Sequence, residues 1–143
     1  MKILNTFLAM SLLIISCYTP QAEKETYESK ILLKAVTNNV LGEKINFPDS
    51  NAAITSAIRV LPKGESTGIH MHEGIPVVFM LEGEITISHQ TDSGTIEKIV
   101  KKGEAFVGAT NNWHEATTTS DVDAVAQVVF IGSTDLKNTI NKE

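Results

Sequence analysis

The chain has 143 residues, of which 42% are hydrophobic, and it carries a formal net charge of −5 at pH 7. This length is enough for one domain with a hydrophobic core of its own. Because the charges are scattered and no basic stretch is present, the sequence argues against nucleic acid as a partner.

The start of the chain has the features of a bacterial signal peptide. Lys2 precedes an apolar run, residues 3–15, that is shorter than the roughly 20 residues of a bilayer-spanning helix. The sequence Ile-Ile-Ser-Cys that ends at Cys17 resembles the lipobox, in which the cysteine becomes lipidated, and Cys17 is the only cysteine. We predict a lipoprotein-type signal peptide over residues 1–16 and a polar tether over residues 17–30. The alternative is a secretory signal in which Cys17 has no special role.

This N-terminus predicts a location in the bacterial cell envelope, either anchored through the lipid or secreted to the periplasm. A membrane is then a partner only through the lipid on Cys17.

Residues 31–132 are predicted to form one all-β domain. Residues 31–36 are mostly apolar and are predicted to be its first strand, and residues 54–60 alternate between apolar and polar side chains, which is typical of a half-buried strand. Strand-length segments then recur about every ten residues with turn residues between them, as in a sandwich or barrel. Residues 133–143 are polar and are predicted to be a short helical or frayed tail.

Two turns are specified by local sequence. Residues 81–84, Leu-Glu-Gly-Glu, predict a tight turn between two strands, and residues 91–94, Thr-Asp-Ser-Gly, predict a hairpin.

Three histidines make the most informative pattern. His70 and His72 are two residues apart in a predicted strand, so their side chains project to the same face. Such a pair alone is a weak signal, because two surface or core histidines on a hairpin give the same pattern. His114 follows a second turn-rich stretch, and three neutral imidazoles on rigid strands suit a divalent metal with open coordination positions.

The spacing around these histidines resembles the cupin superfamily. Residues 64–83 resemble its first motif, G-x5-H-x-H-x3–4-E-x6-G, and residues 103–118 resemble its second, G-x5-P-x-G-x2-H-x3-N. The resemblance implies a jelly-roll β-barrel (double-stranded β-helix) with His70, His72 and His114 facing its interior. It also implies one divalent metal ion, which can be Fe, Mn, Ni, Cu or Zn, and a small-molecule ligand or substrate.

The chain departs from both motifs. Pro76 or Val77 stands where the family places a ligand glutamate, and in the second motif Ala109, Asn111 and Thr118 replace Pro, Gly and Asn. Without the glutamate, the charge of the metal must be balanced by solvent or by an anionic ligand, such as an enolate, carboxylate or thiolate. Glu73 is close in sequence, but its position in the alternation points it away from the histidines.

Further residues are candidates for the wall of a pocket around the histidines. Val78 and Met80 share the strand face of the histidine pair, and Phe106 and Trp113 lie near the second motif; the alternative for these four is ordinary core packing. Gln127 is the one polar residue in an apolar run, and its alternative is an outward position. His89 is predicted to lie on the surface. Arg59 is predicted to lie on the solvated outer face, and the alternative is that it pairs with an anionic substrate.

These observations leave the function open between classes. The first hypothesis is a metal-dependent enzyme with dioxygenase-like chemistry on an enolic, phenolic or other anionic small molecule. The second is a non-catalytic module that senses or stores a ligand or metal, and the third is a barrel whose histidines no longer bind metal. An exposed edge strand also predicts a homodimer.

Overall fold

Nine β-strands form in the part of the chain that the structure describes. The computed structural model describes residues 29–49 and 51–143, so the predicted signal peptide and Cys17 lie outside the described residues. In the described part no helix forms, and hence none that is long and apolar enough to cross a membrane. The strands are β1 (Ala52–Leu61), β2 (His70–Met71), β3 (Ile75–Glu82), β4 (Glu84–Thr91), β5 (Gly94–Lys101), β6 (Ala105–Val107), β7 (His114–Thr118), β8 (Ala124–Ser133) and β9 (Ile140–Asn141).

The strands form two sheets that enclose one core. The first sheet has the order β1-β8-β3-β6 and the second has the order β5-β4-β7-β2-β9, and all pairings are antiparallel. Side chains from both sheets meet between them. The two sheets, with no helix among the described residues, confirm the all-β prediction. The buried core cluster consists of Val78, Met80, Ile85, Ile87, Val100, Ala124 and Ala126.

Both predicted turns are present. Thr91 pairs with Gly94 across a two-residue turn between β4 and β5. Gly83 separates β3 from β4 with φ +70°, and a Cβ there would lie 2.7 Å from the backbone oxygen of Asp123. Only glycine fits this turn without moving the backbone of residues 123–124.

The predicted first strand is wrong. Residues 31–36 have no strand structure, and Ala35 has φ +49°, which interrupts an extended chain. Leu32 and Leu33 instead line a cavity of about 280 Å³ together with Val77 and Phe79. These two side chains therefore contact the outer face of the first sheet, and the segment does not extend it.

The C-terminal residues were predicted to be helical or frayed, and this is also wrong. Ile140 pairs with Met71 and Asn141 pairs with His70, so β9 extends the second sheet beyond β2. Without β9, the two-residue strand β2 would be an unprotected edge.

Candidate metal centre

The register of the second sheet brings the three histidines together. His70 in β2 stands directly opposite His114 in β7, and their ring centroids are 4.5 Å apart. His72 follows β2 by one residue, and its ring lies 4.8 Å from that of His70 and 4.9 Å from that of His114. One ligand atom from each of the three residues lies within 4.8 Å of the others.

Backbone carbonyls orient each of the three rings. The Nδ1 atom of His70 lies 2.9 Å from the oxygen of Gly68, that of His72 lies 2.6 Å from Asn138 O, and that of His114 lies 2.8 Å from Asn112 O. A carbonyl oxygen can only accept, so Nδ1 carries the proton and Nε2 keeps a free lone pair. This is the tautomer and support that metal-binding histidines require.

Burial also keeps two of the rings uncharged. It lowers the pKa of His72 to about 4, against the opposing effect of the hydrogen bond to the Asn138 backbone. It lowers the pKa of His114 to about 3. Both imidazoles are therefore neutral at pH 7, which is the form that binds metal.

The histidines face a cavity of about 390 Å³ whose wall is largely apolar, a size typical of small-molecule sites. No aspartate or glutamate among the described residues lines it. Three oriented nitrogen donors and no carboxylate fit one divalent transition metal with open positions and do not fit Mg²⁺ or Ca²⁺, which prefer oxygen.

The position of the absent glutamate is Pro76. Pro76 lines this cavity, whereas Val77 lines the cavity on the outer side of the sheet. Glu73 does not replace the ligand, because its carboxylate accepts a hydrogen bond from the backbone N–H of Lys137. That contact and the hydrogen bond from Glu73 N to Lys137 O, 3.1 Å, hold the C-terminal segment beside His72.

Two residues that depart from the second motif, Asn111 and Thr118, make hydrogen bonds that hold the backbone near the histidines. Asn111 has φ +52°, a left-handed conformation that asparagine tolerates better than most residues. Its N–H donates to His72 O at 2.7 Å. Thr118 is buried, and its hydroxyl donates to Leu61 O at 3.0 Å, which ties the end of β7 to the end of β1.

The structure places three of the five pocket candidates on the cavity wall, namely Val78, Met80 and Phe106. The other two lie elsewhere. The ring of Trp113 has the Nζ atom of Lys142 over it, 5.4 Å from the ring centroid. Gln127 points outward between the inward-facing residues of β8 and lies beside Ser56.

Two residues predicted to lie on the surface line the cavity instead. His89 is only 1% exposed, and its ring centroid lies 5.2 Å from that of His114. Burial lowers the pKa of His89 as well. A usable signal was present, because His89 continues the alternation of Ile85 and Ile87, both of which are buried.

Arg59 stands opposite Ala126 on the inner face of β1 and lines the cavity while remaining exposed. It therefore lies at the opening of the cavity and not on the outer face. The C-terminal residues Thr139 and Asn141 also line the cavity. Sequence reasoning missed them because their role depends on pairing with β2, about 70 residues earlier.

The inward-facing histidines lie on neighbouring strands of a β-barrel, an arrangement that could hold a metal ion. The family model described as Cupin domain matches residues 57–131, more than half of the chain. The chain therefore belongs to the cupin family. A comparison with curated proteins found no match.

Solved structures share the fold, which confirms the jelly-roll barrel. Oxalate decarboxylase from Bacillus subtilis at pH 4.6 is 16% identical, with a TM-score of 0.55 over 64% of this chain and 24% of that one. The formate complex of Lactobacillus farciminis oxalate decarboxylase is 17% identical, with a TM-score of 0.55 over 62% and 26%. BH2720 from Bacillus halodurans is 13% identical, with a TM-score of 0.51 over 62% and 69%. The chain spans about a quarter of the length of the oxalate decarboxylases.

Proposed function

We propose that this protein is a metal-dependent cupin enzyme of the bacterial cell envelope with oxygenase-like activity on a small enolic, phenolic or other anionic molecule. The observation that supports it most is the cluster of His70, His72 and His114, with free Nε2 lone pairs, on a cavity without an acidic residue among those described.

The charge of the site favours an anion as ligand. Three neutral donors leave the charge of a divalent ion uncompensated, and an apolar wall makes such a charge costly. Arg59 adds a further positive charge at the opening of the cavity. An enolate, phenolate or carboxylate would balance both charges.

When bound, the metal would supply Lewis acidity and positions where an anionic group can bind. His70, His72 and His114 would hold it, and Arg59 would attract the ligand. The apolar residues Val78 and Met80 would exclude water from the ligand. The Mn(II) centres and the formate complex described for oxalate decarboxylases make Mn²⁺ and small carboxylates useful first probes.

Metal content tests the site. The purified protein should bind one divalent ion per chain, measured by elemental analysis and titration calorimetry. Replacing His70, His72 or His114 by Ala should weaken binding by more than the 10–100-fold typical of supporting residues. Gln127→Ala, on the outer face of β8, is the control and should bind normally. If His114→Ala binds metal as well as the unmodified protein does, the site is not the one proposed.

Turnover tests the activity. Oxygen consumption by the metal-loaded protein should rise with an enolic, phenolic or small carboxylate substrate and should be lost in His70→Ala. The missing carboxylate ligand favours a second candidate, a non-catalytic module that senses or stores an anion. Tight binding of an anion with no oxygen uptake and no product would support that second function.

We also propose that the protein forms a homodimer through β1. Within the described residues β1 pairs only with β8, so its other edge is open. Ile54, Ile58 and Val60 on its outer face are 74%, 58% and 60% exposed. Two copies of such an edge can pair with each other and cover these side chains. Sedimentation should show a dimer that Ile58→Lys converts to monomer; a monomeric unmodified protein would contradict this.

The envelope location is proposed on Cys17 and the apolar run before it. Cys17→Ser should block lipid attachment and release the protein from the membrane fraction of cells. If the variant still fractionates with membranes at full mature size, Cys17 is not the anchor.

A further inference from the structure

A row of three histidines that differs from the metal-binding cluster crosses the second sheet: His89, His114 and His70. His89 in β4 stands opposite His114 in β7, and His114 stands opposite His70 in β2. The ring centroids are 5.2 Å apart in the first pair and 4.5 Å apart in the second. All three rings line the same cavity, so His89 is the next side chain beyond the metal-binding cluster.

Asn112 determines which nitrogen of His89 carries the proton. Asn112 Nδ2 donates to the carbonyl oxygen of Gln90 at 2.8 Å, so its Oδ1 is the atom 2.9 Å from His89 Nδ1. An amide oxygen accepts, so Nδ1 of His89 is protonated and Nε2 keeps its lone pair. The backbone oxygen of Asn112 holds His114 in the same tautomer, so one residue orients both rings.

The lone pair on His89 Nε2 has no partner among the described residues. Buried polar atoms nearly always have a hydrogen-bond partner, and His89 is only 1% exposed. Its ligand atom does not belong to the cluster whose members lie within 4.8 Å of one another. His89 is therefore placed beside the three-histidine cluster and not within it.

We propose that His89 Nε2 accepts a hydrogen bond from a hydroxyl or enol group of the anion that the metal site binds. His89 is then a specificity-determining residue, and Asn112 is the residue that positions it. A site with a buried acceptor binds a donor-bearing ligand in preference to an analogue without the donor, because the analogue leaves the acceptor unpaired. This inference deepens the proposed function and rests on its metal site.

The test compares two anions that differ only in the donor. Mandelate has a carboxylate, a hydroxyl and a phenyl ring that suits the apolar wall, and α-methoxyphenylacetate is the same molecule with the hydroxyl methylated. Binding of each to the Co²⁺-loaded protein is followed by visible absorption of the metal. The unmodified protein should prefer mandelate by at least about tenfold.

His89→Phe should reduce this preference to about twofold or less while Co²⁺ affinity changes by only a few-fold. Phenylalanine is at least as large as histidine, so a preference caused by steric exclusion of the methyl group would persist in this variant. His89→Gln keeps an acceptor and should recover part of the preference. Gln127→Leu, on the outer face, should match the unmodified protein.

Other outcomes overturn the inference. If the unmodified protein shows no preference, or if His89→Phe keeps the full preference, His89 does not recognise the donor. If His89→Phe loses Co²⁺ as severely as His114→Ala does, His89 is a metal ligand instead. A failure of the unmodified protein to bind Co²⁺ would overturn the proposed function itself, so the two failures are distinguishable.

Discussion

The departures from the cupin motifs differ in whether they change the chemistry of the candidate metal site. Asn111 stands at the glycine position of the motif and adopts a left-handed backbone. Thr118 stands at the asparagine position, and its hydroxyl donates to the backbone oxygen of Leu61. Both residues flank His114, one in the turn before β7 and one at the end of β7. Pro76 differs from them, because it removes the one anionic ligand and thereby changes the charge of the site.

Restoring that carboxylate is a direct test at the residue scale. Pro76→Glu should tighten Mn²⁺ binding more than Cu²⁺ binding, because a carboxylate oxygen is a harder donor than an imidazole nitrogen. Titration calorimetry with both ions gives the ratio. Val77→Glu is the matched control, since Val77 lies on the outer side of the sheet and should leave the ratio unchanged. An equal effect of both substitutions would mean that Pro76 is not the ligand position.

The elements differ in how well local sequence specifies them. The turn at Gly83 and the hairpin between β4 and β5 depend on adjacent residues, so turn chemistry predicts them. The strand β9 has little strand character of its own and forms because it pairs with β2. Residues 31–36 are mostly apolar, yet they form no strand, and Leu32 and Leu33 lie on the outer face of a sheet instead of joining it. Both the strand β9 and the position of residues 31–36 depend on contacts with residues far away in the sequence. Local sequence patterns therefore do not predict them.

The C-terminal segment should matter to the metal site, although it contributes no ligand. Deleting residues 138–143 removes the Asn138 carbonyl that orients His72 and the β9 pairing that covers β2. Metal affinity should fall by about 10–100-fold, the usual effect of losing a group that supports a ligand. Deleting residue 143 alone is the control, because it leaves these contacts intact. Normal affinity in the longer deletion, with circular dichroism unchanged, would contradict this role.

At the scale of the molecule, the sequence predicted the barrel and the histidine triad but not the whole wall of the site. His70, His72 and His114 were found because spacing and motif agreed. The prediction that His89 lies on the surface was wrong, although His89 alternates with the buried residues Ile85 and Ile87. A histidine in a strand is compatible with either face of the sheet until the neighbouring strand is known. Arg59 was misplaced for the same reason, since its inward direction follows from pairing with Ala126.

Burying several neutral histidines makes the stability of the whole molecule depend on pH. The pKa is about 4 for His72 and about 3 for His114 in the folded protein, against about 6.5 in the unfolded chain. Below pH 6.5 the unfolded chain therefore binds more protons, and the free energy of unfolding falls as the pH falls. Each histidine contributes a loss of about 1.4 kcal/mol per pH unit once the pH is well below 6.5.

Between pH 7 and pH 5, the two histidines together should lower the free energy of unfolding by about 4 kcal/mol, a large share of the 5–15 kcal/mol of a typical domain. Urea unfolding of the metal-free protein at several pH values measures this slope. His114→Phe removes one of the titrating groups and should lessen the loss by about 2 kcal/mol, whereas Gln127→Leu should show all of it. A bound metal should oppose the loss, because it binds only the folded, neutral histidines. If His114→Phe is as sensitive to pH as the unmodified protein, the buried histidines do not cause the dependence.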